Sequence, residues 1–565
     1  MAVLLSDVWP FVPFRVLDEP SQHGYSTSLL SWLITTSIKL LLWTVLCYVI
    51  FFTASIAIRF ARAMRKRWRY DHIEARMRTF YGINRMDMLW PGRGMEVMWR
   101  NVQEACKDGH PKMLYNGISL TGDHQVLLLS PEAIKVVMTR DGIEFGKPPS
   151  FSRMVDKIIG KGLVTSEGDL WRRERKLLNP MFHFQNLKDV ALPATVHQVH
   201  ETISLIDQNR AANAATTKKA DKLPDDVTFD PRDGSYNPAN LFGRMALMVV
   251  IEALFSKGID GDWFHEKWSS VIGKNASYNI GKLLIGSAMD YLPLPPTRRL
   301  LGTMEALRKE IRALIRLRRA QLAHGELITT DRCDVITAMV KAVDETTGEG
   351  IEDEQIVDEA LTFLIAGHET TSNLLSWSIF FIGQPQYHWI QHEVRKEVQQ
   401  VLGEADPTPE TYKHLAYTHQ VIKETLRIRP AASQINRITL KDVEIDGVLI
   451  PKGTVVTPLM LATHNNPAIW PEPAKFDPQR FTVDSSGGEG KRHPFAYVPF
   501  SHGPRNCIGQ RFAQQEAVVA LAMLLRRFDI STNDPSKVRM GTGGILRPKG
   551  LRVWLTPRAE GKKDI

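Results

Sequence analysis

The stretch Phe500-Ser501-His502-Gly503-Pro504-Arg505-Asn506-Cys507-Ile508-Gly509 decides how the rest of the chain is read. It has the form F-x-x-G-x-R-x-C-x-G, which puts one thiol in a short loop bounded by glycines, with a guanidinium two residues away. A thiolate persists only where positive potential or hydrogen-bond donors favour it, and Arg505 supplies such potential. Gly503 and Gly509 let the backbone turn sharply and approach a flat ligand without a Cβ in the way. Phe500 can lie beside the sulfur and exclude water. A thiolate so placed suits axial ligation of haem iron, where it pushes electron density onto the metal and favours O–O cleavage. The competing reading is a buried, unreactive cysteine in a glycine-rich turn.

Working outward, the 565 residues are 43% hydrophobic and 24% charged, an ordinary globular composition. Cys47, Cys106, Cys333 and Cys507 are scattered and form no C-x-x-C pair, which argues against a zinc ribbon or a disulfide framework. Leu40 to Ile58 reads LLLWTVLCYVIFFTASIAI and carries no charge. As a helix it would span about 28 Å, close to the hydrocarbon thickness of a bilayer. Arg59, Arg62, Arg65, Lys66, Arg67 and Arg69 follow it, whereas Asp7, Asp18 and Glu19 precede it. This asymmetry places the C-terminal body on the cytosolic side. A cleaved signal peptide would carry its apolar stretch nearer Met1, behind basic residues. The basic cluster feeds the net charge of +9. It suits membrane lipid headgroups, and no nucleic-acid motif accompanies it.

The Cys507 loop resembles the haem-binding loop of the cytochrome P-450 superfamily, and other segments follow that family's order. Ala366-Gly367-His368-Glu369-Thr370-Thr371, in a helical pattern from about Glu352 to Ile382, is similar to the family's oxygen-activation motif. The resemblance implies Thr370 as the proton-delivery hydroxyl and Glu369 as the relay acid, with Gly367 loosening the helix to admit O2. The plain alternative is a threonine that bonds back to its own helix. Glu424-Thr425-Leu426-Arg427 is E-x-x-R, and Phe476-Asp477-Pro478-Gln479-Arg480-Phe481 is similar to the family's P-E-R-F segment, with Asp-Pro-Gln departing from it. Glu424, Arg427 and Arg480 are then a buried structural triad. Trp171 and Arg175 match W-x-x-x-R, and with Arg437 and Arg505 they are implied to bind the haem propionates. His368 and His502 are not expected to be ligands.

The resemblance implies a mainly α fold with small β-sheets, a triangular prism holding haem b between two helices. Residues 1–28 are expected as a lumenal tail, 29–58 as a transmembrane anchor, 59–115 as a basic segment and hinge at Trp90-Pro91-Gly92, and 116–565 as the haem domain. Strands are expected at Val126–Leu129, at Val443–Ile450 around an Asp446-Gly447 turn, and at Val553–Leu555. Residues 207–237, rich in Ala, Lys and Asp, read as an exposed loop. The implied activity is monooxygenation of an apolar small molecule such as a lipid, terpenoid, polyketide or other secondary metabolite, at the endoplasmic reticulum membrane. Its electrons are implied to come from NADPH through a separate cytochrome reductase, with cytochrome b5 as a second donor. Two other readings stay open: a haem-dependent isomerase or dehydratase on the same fold, and a non-catalytic haem-binding sensor.

Overall fold

The computed structural model describes residues 25–558 except 66, 71–77, 80–93, 108, 119–122, 183–186, 215–227, 257, 272–277, 279–280, 283–287, 326–333, 344–347, 349, 483–491 and 542–544. The expected tail before residue 25 and the Trp90-Pro91-Gly92 hinge lie outside these residues. The chain divides into two compact units, 1–58 and 59–565.

Residues Tyr25–Arg65 form one helix of 41 residues, about 61 Å long at the usual rise. Trp32, Leu40, Trp43, Leu46, Ile50 and Ile58 are exposed on it.

The body is helical around Asp353–Ile382, 30 residues long. Its second half joins a core of Trp377, Phe380, Phe381, Val421, Val518 and Leu521. Its first half joins Val250, Ile311, Leu361 and Leu364. The Pro238–Phe255 helix packs along it. That partner is long and apolar enough to cross a membrane, but 72% of it is buried in the protein, so it is a core helix. The central helix runs unbroken through Gly367. A Cβ at Gly367 would stand 2.7 Å from Val250 Cγ2. The glycine therefore lets two core helices approach; it does not loosen the hydrogen-bond ladder as expected.

A six-stranded mixed sheet takes the order Arg78–Thr79, Met113–Ile118, His124–Leu128, Val455–Pro458, Arg437–Thr439, Phe145–Gly146. The boundary expected at 115/116 thus falls inside a strand, because Leu114 and Tyr115 pair with Leu127 and Val126. A four-stranded sheet joins Phe528–Thr532, Val553–Pro557, Ser235–Tyr236 and Phe229–Asp230. The 207–237 reading is corrected at both ends. Helix Leu192–Ala214 runs into it, and Phe229–Asp230 pairs with Ser235–Tyr236. Val443–Ile445 and Val448–Ile450 form the expected hairpin, with Asp446 at φ 48° and Gly447 at φ 75°. Positive φ at both central positions is the twist-matched turn that Asp-Gly favours.

Glu424, Arg427 and Arg480 do come together. Arg427 Nε and Nη2 donate to Glu424 at 2.7 and 2.8 Å, and Arg480 Nε lies 3.4 Å from Glu424 Oε1. Arg427 also donates to the carbonyls of His464 and Pro473, and the Asp477 N–H donates to Glu424. The segment Phe476–Phe481 is thereby pinned to the Ala416–Ile428 helix. The departure at Asp477-Pro478-Gln479 costs nothing here, because the contact uses backbone.

Candidate active site

The loop that carries Cys507 is built by local hydrogen bonds. The Asn506 N–H donates to Gly503 O at 3.1 Å, and the Cys507 N–H to Phe500 O at 2.9 Å. Phe500 is thus tied to Cys507 through its carbonyl, while its side chain packs against the helical core. Gly503 has φ 78°, and a Cβ there would stand 2.3 Å from the Met138 carbonyl oxygen. Gly503→Ala is expected to cost about 1–2 kcal/mol in backbone strain alone, plus displacement of the Pro131–Thr139 helix; chemical denaturation checks it. Gly509 differs from expectation. Its φ is −87°, and a Cβ would meet Phe182 only at 3.9 Å. Neither strain nor crowding by protein demands glycine there. Its N–H acts on the Cys507 sulfur, at the start of helix Gln510–Arg527.

Cys507 faces a cavity of about 640 Å³ lined by Arg175, Asn179, Phe182, Gln510 and Arg511 among others. Cys507 is exposed on this cavity, yet desolvation by the surrounding protein pushes its thiol up, against the opposing pull of the Gly509 N–H and of Arg175. A cation bonded to the sulfur is what would hold it as thiolate. Among the described residues no group of three or more His, Cys, Asp or Glu could hold a metal ion. His368 Nδ1 donates to Leu364 O of its own helix, and His502 stacks edge-on with Phe495 at 4.6 Å.

The expected propionate partners are all near this loop, but their contacts differ from the simple pairing of Trp171 with Arg175. Arg175 donates twice to Asn506, to O and Oδ1, each at 2.8 Å. The Trp171 ring lies 4.0 Å under the Arg505 guanidinium, which donates to Ser166 O at 2.8 Å. Arg437 is bonded to Asp141 at 2.7–2.9 Å. Lys147, which sequence reasoning missed, is buried and donates to the same Ser166 O at 2.6 Å. Burial, then the charges of Arg505 and Arg437, push its ammonium down to about 7. Crowded buried cations of this kind call for anions. The residues therefore fit an iron porphyrin: a thiol on an open cavity for the metal, and surplus positive charge for two carboxylates. Nothing in spacing marks Lys147; only the sheet edge at Phe145–Gly146 brings it here.

Thr370 and Glu369 sit on the central helix, yet the structure does not bond them to each other. The Thr370 hydroxyl donates to Ala366 O at 2.8 Å, the plain alternative foreseen for it. Glu369 is buried and accepts from Trp268 Nε1 at 2.8 Å and from the Arg547 guanidinium. Trp268 and Arg547 were also missed, because they lie 101 and 178 residues from Glu369 in sequence. Ala366 is exposed beside them, as a small residue facing open space.

Residues 91–555 match the family described as Cytochrome P-450. The chain is 32% identical over 457 residues to cytochrome P-450 4F3 of Mus musculus, covering 76% of this chain and 80% of that one. It is 30% identical over 438 residues to taurochenodeoxycholic 6 alpha-hydroxylase of Sus scrofa, covering 74% and 79%. The crystal structure of the cytochrome P-450DA heme domain shares the fold, at a TM-score of 0.67 and 22% identity over 83% of this chain and 94% of that one. With the Cys507 loop, its cavity and its surplus cations in one place, these matches settle the assignment: the chain belongs to the cytochrome P-450 family of haem-b monooxygenases.

Proposed function

We propose that this protein hydroxylates an apolar small molecule, using O2 and electrons passed from NADPH by a separate membrane reductase. The observation that carries the reading is Cys507, set on its cavity in a loop whose backbone hydrogen bonds leave the thiol directed outward. Haem b bound there supplies the reduction and cleavage of O2. Cys507 would ligate its iron. Arg505, Lys147, Arg175 and Arg437 hold the propionates, the last two by exchanging Asn506 and Asp141 for the ring carboxylates. Thr370 holds a water by its hydroxyl, and Glu369 passes protons to it after leaving Trp268 and Arg547. Ala366, Ala431 and Ala432 leave room for substrate.

The name of the porcine relative, a hydroxylase of a conjugated steroid acid, favours a lipid-like substrate with an apolar skeleton. The exposed Trp32, Leu40, Trp43, Leu46 and Ile50 support a membrane anchor over 29–58, since such a surface is costly in water. The basic run that follows favours the cytosolic face of the endoplasmic reticulum.

The test is turnover of the holoenzyme in vesicles with reductase, NADPH and isotopically heavy dioxygen. The product should carry one heavy oxygen atom; label-free product would overturn the reading. In the same assay Thr370→Ala is expected to raise hydrogen peroxide released per NADPH several-fold and to lower product correspondingly. Unchanged coupling would remove Thr370 from the proton path.

A further inference from the structure

A pair of buried carboxyl groups lies behind the propionate cations, and the oxidation chemistry does not use it. Glu174, next to Arg175 on the Gly168–Leu178 helix, and Glu359, on the central helix, are both buried. Gln355, four residues before Glu359 on the same helix, reaches Glu174, so the two carboxyls lie close enough to act on each other. Glu174 also accepts from the Ser166 hydroxyl and from Gln355 Nε2, and Glu359 Oε2 accepts from the Leu163 N–H at 3.0 Å. Glu359 Oε1 is buried and meets no donor among the described residues. Two carboxylate oxygens face each other in a protein interior only with a proton between them.

Ser166 connects this pair to the haem side. Its hydroxyl serves Glu174, while its carbonyl accepts from Lys147 at 2.6 Å and from Arg505 at 2.8 Å. The charged groups acting on the pair are few. Lys147 stabilises the ionised form, and Asp358, one residue before Glu359, opposes it. Asp358 is itself held by Arg308 at 2.7 Å and by the Lys161 N–H at 2.7 Å.

We propose that Glu174 and Glu359 share one proton at neutral pH, and that losing it draws the Arg505 guanidinium away from the haem propionates. This rests on the haem reading above. Glu359 and Glu174 are then positioning residues: they touch neither substrate nor haem, but set the charge beside it. Burial, followed by the Glu174 charge, raises Glu359 to about 9. A new negative charge behind the propionates stabilises the ferric form, so the haem potential falls as the pair ionises.

The sign for stability follows from linkage. Folded Glu359 keeps its proton up to about 9, whereas the unfolded chain releases it near the ordinary 4.5. Folding therefore takes up a proton between these values, and the site's contribution to stability falls as pH rises through that window. Glu359→Gln keeps the shape of the protonated acid and has no proton to lose.

The experiment compares wild type with Glu359→Gln and Glu174→Gln, as full-length holoenzymes. The difference spectrum, wild type minus Glu359→Gln, should show the infrared band of a buried carboxylic acid, since the buried Glu516 contributes equally to both. The wild-type haem potential should fall more steeply from neutral to alkaline pH than that of Glu359→Gln, in which Lys147 still titrates but the pair does not. The melting temperature of Glu359→Gln minus that of wild type should grow with pH between 5 and 9. Absence of the band, or equal pH slopes of potential in wild type and Glu359→Gln, would overturn the proposal. A protein that takes up no haem overturns the haem reading instead, and the infrared band and melting trend then decide proton sharing by themselves.

Discussion

Cys507→Ser is expected to abolish the reduced carbon monoxide difference spectrum of a thiolate-ligated haem, and all product formation with it. A serine hydroxyl is nearly isosteric but stays protonated, so it offers iron neither a formal negative charge nor a polarisable donor. The loop itself should survive the change. Its hydrogen bonds use the backbone of Cys507 and Asn506, and its tight turn depends on Gly503. Cys507 is exposed on its cavity, so a smaller, neutral side chain should not unfold the site. The prediction therefore separates ligation from folding: circular dichroism unchanged, thiolate spectrum gone. A Cys507→Ser protein that retained the full spectrum would mean that the iron is held elsewhere.

The second large effect is on stability. Arg427→Ala should cost about 3–5 kcal/mol, because it leaves the Glu424 carboxylate buried without its bidentate partner. The side chains of Arg427 and Glu424 are both 0% exposed. The same substitution strips the carbonyls of His464 and Pro473 of their donor and removes a cation from 5.3 Å above the Trp470 ring. Arg427→Lys should rescue little, since one ammonium cannot reproduce two parallel bonds to Glu424 and three to the carbonyls of His464, Pro473 and Lys475. Arg480→Ala should cost clearly less, because Arg480 stands 3.4 Å from Glu424 and 11% exposed. Denaturant unfolding ranks the three. A loss below about 1 kcal/mol for Arg427→Ala would show that the triad is not what holds this layer together.

Much of the architecture was open to reading because local rules and global packing agree. Glu352–Ile382 is apolar over a length that only a helix uses, and the helix spans Asp353–Ile382 with Glu352 at its cap. The Asp446-Gly447 dipeptide specifies its hairpin through positive φ, with no help from the rest of the chain. The weak E-x-x-R motif gained meaning only beside Phe476–Phe481, 50 residues on. Reading failed where composition stood in for packing. Residues 207–214 continue the helix Leu192–Ala214, since Ala211, Ala212 and Ala214 are good helix formers. Gly367 was assigned to chemistry, whereas the neighbouring Val250 explains it by crowding.

The order of motifs around Cys507, Thr370 and Glu424 was enough to determine the family and the helical class, because each motif is a short local geometry that needs only its own residues. Tertiary structure alone decided which charges meet. It turned Arg437 to Asp141, Arg175 to Asn506 and Glu369 to Trp268 and Arg547, brought Lys147 beside Arg505, and closed Glu174 upon Glu359. Those pairings join residues far apart in the chain. Their energies depend on burial and on the sum of neighbouring charges, quantities that exist only once the chain has folded.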